Sequence, residues 1–267
     1  MNDASVPQDP RPEEMGRTSD APPPVEPLSF SDKFIGILTE PSATFANVRA
    51  VGPRTSDWLL PVLILMIVIA GATLARFSNP EAVAQIMDAQ TEAIQKQVDS
   101  GEITQEEADR IRSQMESMSG LYGVFGAISG AIGYFIVFFI VALFYWLVVK
   151  FALGGEVGYT AILSILGLSN FISILDQLVS LLLSYATGSM FVNLSPILFV
   201  GGDMTTLGMG MKMLMLLNPI AIWATWVVGI GLENVAMLSR TKAMITAFAL
   251  YIAFTAVTLA LGGMGMG

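Results

Sequence analysis

Long apolar runs constrain this chain more than any other feature. They extend over about 58–77, 122–151, 160–185, 213–232 and 243–261. A helix of roughly 20 apolar residues crosses the ~30 Å hydrocarbon core of a bilayer. In lipid, only helices and closed barrels satisfy their own backbone groups. Composition points the same way: 54% of residues are hydrophobic and 13% are charged, against about 25% charged in an ordinary soluble domain. The reading is an all-α, polytopic membrane protein with about five transmembrane helices, and the lipid bilayer is its first partner.

The residue inventory narrows the chemistry. There is no Cys and no His, which removes the thiolate nucleophile, the cysteine zinc site, the commonest general base and the commonest metal ligand. No phosphate-cradling loop, dinucleotide fingerprint or nucleophile elbow occurs. The expectation is a protein that is not an enzyme, with no catalytic, cofactor-binding or metal residues. The formal net charge of −9 comes from acids within residues 1–57 and 81–116. No basic patch with interleaved aromatics exists, so a nucleic-acid partner is not expected.

Residues 1–29 carry seven prolines among polar residues and read as a disordered tail. They contain no secretory leader, so the first span drives insertion. In 30–56, Phe30, Phe34, Ile37 and Leu38 recur at helical spacing, Pro41 breaks the run, and Phe45 and Val48 begin another. Two short amphipathic helices result. They lie either in the membrane interface or on the protein's own loops. Residues 57–262 form the membrane domain. Trp58 is read as an interfacial anchor, and Pro61 as a first-turn proline whose missing N–H costs little.

Residues 80–118 read as an inserted helical hairpin. Asn79 or Ser78 caps a helix with the stripe Val83, Met87, Ile94, Val98, and Gly101 follows its end. Thr104 and Glu107 form a capping box for a second helix, with the stripe Ala108, Ile111, Met115, Met118. The seam either packs on itself or also docks on a neighbouring subunit.

Two features inside the spans are candidate sites. Gly123, Gly126, Gly130 and Gly133 share one face of the second span, a spacing that lets helices approach closely in lipid; the partner helix is internal or in another subunit. The third span carries a polar stripe of Ser169, Ser173, Asp176, Gln177, Ser180 and Ser184. Asp176, Gln177, Ser173 and Ser180 form a candidate intramembrane polar site, because an acid in a span is costly and usually functional. Counting about 24 Å from Thr160 puts Asp176 nearer the far interface than the midplane. Its readings are a proton or ion role, or structural polar packing.

Asn218-Pro219 predicts a kink in the fourth span. Residues 186–212 are either a loop or a re-entrant segment. Glu233 is placed to pair with Arg240 or Lys242. Met209, Met211, Met213 and Met215 cluster, but without Cys or His they read as gap-fillers rather than copper ligands. With the N-terminus in the cytoplasm, eight basic residues fall inside (Arg11, Arg17, Lys33, Arg49, Arg54, Lys150, Arg240, Lys242) and five outside (Arg76, Lys96, Arg110, Arg112, Lys212). That bias predicts N-terminus in, C-terminus out and an extracytoplasmic hairpin.

The stretch "FIGILTEPSATFANVR" at 34–49, then "DWLLPVLIL" at 57–65 and "AILSILGLSNFISIL" at 161–175, resembles the Yip family (Ypt/Rab-interacting proteins), in its bacterial branch. The resemblance covers about 30–262. It implies five spans, a cytoplasmic N-terminal region, residence in the bacterial cytoplasmic (inner) membrane and homo- or hetero-oligomers. The small GTPase partners of the eukaryotic members are not carried over. No catalytic or cofactor residues come with the family. The functional expectation is a self-associating, non-catalytic membrane organiser, a homo-oligomer with an unidentified membrane or cytoplasmic protein partner. The alternative is a small transporter or an ion or proton channel built on the stripe around Asp176.

Overall fold

The computed structural model describes residues 25–189, 192–199, 211 and 213–264. The expectations for the tail 1–24, most of the loop 186–212, Met209 and Lys212 lie outside the described residues. All described elements are helical: α1 Phe30–Thr39, α2 Pro41–Val51, α3 Thr55–Phe77, α4 Pro80–Asp99, α5 Gln105–Leu147, α6 Tyr159–Thr187, α7 Pro219–Asn234 and α8 Arg240–Met264. Four segments are long and apolar enough to cross a membrane: Thr55–Phe77, Leu121–Ala152, Tyr159–Thr187 and Arg240–Leu259.

The expected fourth span, 213–232, takes a different form. It divides into a 3-10 turn, Met213–Leu217, and the 16-residue helix α7. Asn218 is the N-cap of α7, its side chain accepting from the N–H groups of Ile220 and Ala221, and Pro219 occupies the first turn. A proline following an asparagine cap starts a new helix instead of bending an old one. The predicted kink is therefore a break.

The hairpin's second arm also differs from expectation. Its helix does not end before the membrane. It continues into the second span as one 43-residue helix, α5, about 65 Å long at 1.5 Å per residue. No proline or αL residue interrupts Met118–Tyr122, so the backbone ladder simply runs on. The helix starts at Thr104 with the predicted capping box, and Gly101 has φ +77° at the turn. Within the seam Ile94 and Ala108 are buried while Met118 is exposed. Arg112 donates to Gln95 Oε1 at 2.9 Å and ties the two arms. At its other end α5 closes with a π-turn, Val148–Ala152.

α6 is the axis of the bundle. It packs against α3, α5, α7 and α1, and every residue from Ala161 to Ser169 is buried. α1 and α2 cover this end of the bundle. Phe30 and Phe34 meet Phe171 edge to face at 5.4 and 5.1 Å. Ile37, Phe45 and Val48 are at most 2% exposed, each contributing about 1.5–3 kcal/mol by leaving water. Asn234 at the end of α7 donates to Ser42 of α2 at 3.3 Å.

α3 begins a turn earlier than predicted, at Thr55, because the Asp57 carboxylate accepts from the Arg54 N–H and fixes the first turn. Pro61 consequently lies inside the helix, where it leaves the Asp57 carbonyl without its helical donor. Trp58 packs on Phe138 and Phe139 of α5 at 6.3 and 5.5 Å. Its aromatic ring therefore takes part in the contact between α3 and α5.

Candidate functional site

The register between α3 and α6 fixes the depth of the polar stripe. A Cβ on Gly167 would collide with the backbone of Trp58 and Asp57. Asp176 lies about 13.5 Å further along α6, counting 1.5 Å per residue. Near the other end, the Tyr185 hydroxyl donates to the carbonyl of Ala75 at 2.7 Å. The contacts join residues 109 or 110 positions apart, so Asp176 stands about level with Met66. Met66 is about 18 Å from Arg54 and 15 Å from Arg76 along α3. Asp176 therefore lies level with the mid-length of α3, whereas counting along α6 alone set it toward the far end of its span. Counting from Thr160 alone could not show that the first turns of α6 extend beyond the start of α3.

The broken fourth segment meets α6 at this depth. Asn218 Nδ2 donates to Asp176 Oδ1 at 2.8 Å. The cap geometry aims that amide: Asn218 Oδ1 is occupied by the first N–H groups of α7, so its nitrogen is left facing the acid. At the other end of α7, a Cβ on Gly231 would strike Ile165 and the Phe45 ring. α7 thus packs along α6 between Ile165 and Asp176, with its N-terminus level with the middle of α3.

A cleft of about 290 Å³ opens there between α5, α6, α7 and α8. Its walls are largely apolar (Val137, Phe138, Val141, Ile220, Ala221, Ala224, Phe254), and a line of polar groups follows α6: Ser169, Asn170, Ser173 and Asp176. Tyr134 from α5 and Tyr251 and Thr255 from α8 face the same space. The Tyr251 hydroxyl donates to the Leu216 carbonyl at 3.1 Å, and Ser169 donates back to Ile165 at 2.8 Å. Of the four residues read from sequence as the polar site, Asp176 and Ser173 line the cleft, whereas Gln177 and Ser180 do not. Ser184, further along the stripe, donates to the Ser189 carbonyl at 2.7 Å.

The glycine face packs inside the chain. A Cβ on Gly123 would come within 2.9 Å of Phe77 Cβ, one on Gly126 within 3.4 Å of Thr73, and one on Gly130 within 3.6 Å of Ile69; Gly133 has open space. The close partner of this face is α3 of the same molecule.

A third constellation escaped the sequence reading. Lys33 of α1 and Asp57 of α3 form an ion pair at 2.5 Å, with side chains 9% and 1% exposed. A lysine on a short amphipathic helix and an acid at a span entry each look like ordinary interfacial charges. Only the fold brings them together. Glu233 pairs with neither Arg240 nor Lys242: among the described residues the other ion pairs are Lys96–Glu92 and Arg112–Asp109. The chain leaves the helix at Val235 and turns through Met237 at φ 57°, so the helical spacing that would have joined them is lost. At the same end of the bundle, the Lys150 ammonium lies 4.8 Å from the centroid of the Trp146 ring.

No group of three or more His, Cys, Asp or Glu residues that could hold a metal ion occurs among the described residues. No curated protein and no solved structure matches the chain. A family model described as the Yip1 domain matches residues 35–261. Matched from within α1 to near the end of α8, the chain is a multi-pass membrane protein that belongs to the Yip1 domain family.

Proposed function

We propose that this protein is a non-catalytic membrane organiser that works by associating with further copies of itself, in a bacterial cytoplasmic membrane, with its N-terminus in the cytoplasm. The observation that carries this reading is a groove of about 360 Å³ along the outer side of α3 and α5. Its floor is Ala70, Ala127 and Ala131, and its rims are Leu74, Val124, Ile128 and Ile132, with no polar group in it. In lipid, apolar burial drives nothing by itself. Helices associate where small side chains let them pack closely, and a floor of alanines between larger apolar rims is such a seat. The same helix α5 carries the hairpin outward without a joint, so a second copy seated in the groove brings two hairpin seams side by side.

The transporter reading draws on Asp176 in the third span, beside a helix break. A conducting path also needs polar groups toward both faces. Below Ser169 the packing consists of Ile162, Ile165, Val227 and Leu232, all fully buried, and this favours the organiser. The test is mass photometry of the full chain in nanodiscs. Discrete oligomers are expected for the wild type, and Ala131→Phe, which fills the groove, is expected to shift them to monomers. A wild type that stays monomeric, or one that carries flux in proteoliposomes abolished by Asp176→Asn, overturns the proposal.

A further inference from the structure

The cleft at Asp176 is a separate matter from association through the alanine groove, since the two share no lining residue. An ionised carboxylate within a membrane span requires a positive partner, because lipid and apolar side chains cannot replace its hydration. Among the described residues no Lys or Arg pairs with Asp176, and Asn218 is its one hydrogen-bond donor. A carboxylate has room for several donors. Asp176 is half-buried and lines the cleft, so its remaining acceptor capacity faces that space.

The surroundings define what would fit. The walls of Val137, Ile220, Ala221 and Phe254 match a hydrocarbon body. The rings of Tyr134 and Tyr251 line the cleft too, and aromatic faces attract a cation in a desolvated site. Tyr134 Oη and Asn170 Nδ2 are buried side by side, and neither completes a hydrogen bond of good geometry. Val137, on the α5 wall, is 52% exposed, which gives a hydrophobic ligand a lateral entrance from the bilayer. The volume is at the lower end of the range for small-molecule sites.

We propose that the cleft between α5, α6, α7 and α8 binds a small organic ammonium ion, its N–H groups on Asp176 and its hydrocarbon body against α5 and α7. A bare metal cation fits less well, since the walls are mainly apolar. An aliphatic alcohol would fill the same space but leave the charge unpaired.

The experiment uses the full chain in nanodiscs and two probes with one body, cyclohexylmethylamine and cyclohexylmethanol, titrated calorimetrically with empty nanodiscs subtracted. The wild type is expected to bind the amine saturably, about tenfold or more tighter than the alcohol, the size of one charge-assisted hydrogen bond. Asp176→Asn keeps the shape and the contact with Asn218 and is expected to bring the two probes to equal affinity. Ala221→Phe keeps the acid and fills the cleft, and is expected to weaken both. Thermal midpoints of the three proteins show whether each has folded. Equal affinities in the wild type, an amine preference that survives in Asp176→Asn, or no saturable binding to the folded wild type overturns the proposal.

Discussion

The two halves of α6 live in different solvents. From Ala161 to Ser169 every residue is buried, on a helix that packs against α1, α3, α5 and α7. From Ser173 to Leu183 most residues are half-buried, Leu178 and Leu182 are exposed, and Ser180 alone is buried. One half is a protein core in the ordinary sense, with protein on all sides. The other is a lipid-facing helix that packs along one stripe, and the hairpin beyond it is held by a narrow seam. The difference teaches that stability and shape are set at the α1–α2 end. The opposite end has freedom to carry surfaces, and the cleft lies where the two regimes meet.

That contrast can be broken most directly at Lys33. Removing one partner of a buried ion pair strands the other charge, at a cost of about 3–5 kcal/mol. Lys33→Met is expected to lower the thermal midpoint of the detergent-solubilised protein sharply, and Lys33→Met with Asp57→Leu is expected to recover most of the loss. If the single variant melts with the wild type, the closed half is not held from α1. Gly167→Ala is next. The added Cβ meets the Trp58 and Asp57 backbone, which cannot move as a side-chain tip can, so overpacking costs about 1–3 kcal/mol. Gly133, with nothing nearby, is the matched control: Gly133→Ala is expected to leave the melt unchanged or raise it slightly.

The smallest effect belongs to the hairpin. The Thr104 N–H and hydroxyl donate to the Glu107 carboxylate at 2.9 and 3.0 Å, and they hold its pKa below the ordinary glutamate value. The unfolded chain therefore binds a proton first as pH falls. The cap's contribution is complete above the ordinary glutamate range of about 4.3 and is lost as pH drops through the lower folded value. Amide exchange at Glu106–Asp109 is expected to rise on acidification through that window, with the α6 core unaffected. Thr104→Ala is expected to give the same local fraying near neutral pH, at about 1 kcal/mol. A fall in the global melt would show that the two ends are coupled.

Much of the architecture was legible in local patterns. The apolar runs, the Asn79 and Thr104 caps, the Gly101 turn and the glycine face are written in residue types at fixed spacing, and spacing is what a helix reads. The pieces that were misplaced depend on relations between helices. Asn218-Pro219 reads as a kink when it is taken as the middle of one apolar run, and as a break once Asn218 is seen to cap the helix that follows it. The continuity of α5 is settled by the absence of a stop between Met118 and Tyr122, and an absence gives no signal among polar and apolar residues alike. Asp176 was found as a residue but not as a depth, because depth is a property of how α6 slides against α3.

The sequence by itself determined that lipid is this protein's solvent, that its backbone is helical and where most of the helices begin. These follow from one-dimensional facts, since each span satisfies its own hydrogen bonds. Only the tertiary structure decided that Lys33 meets Asp57, that α7 begins beside α6 as a separate helix, and that Asp176 faces a cleft with Asn218 as its donor. Each of these depends on contacts between residues distant in the chain, which close packing fixes and local spacing leaves open.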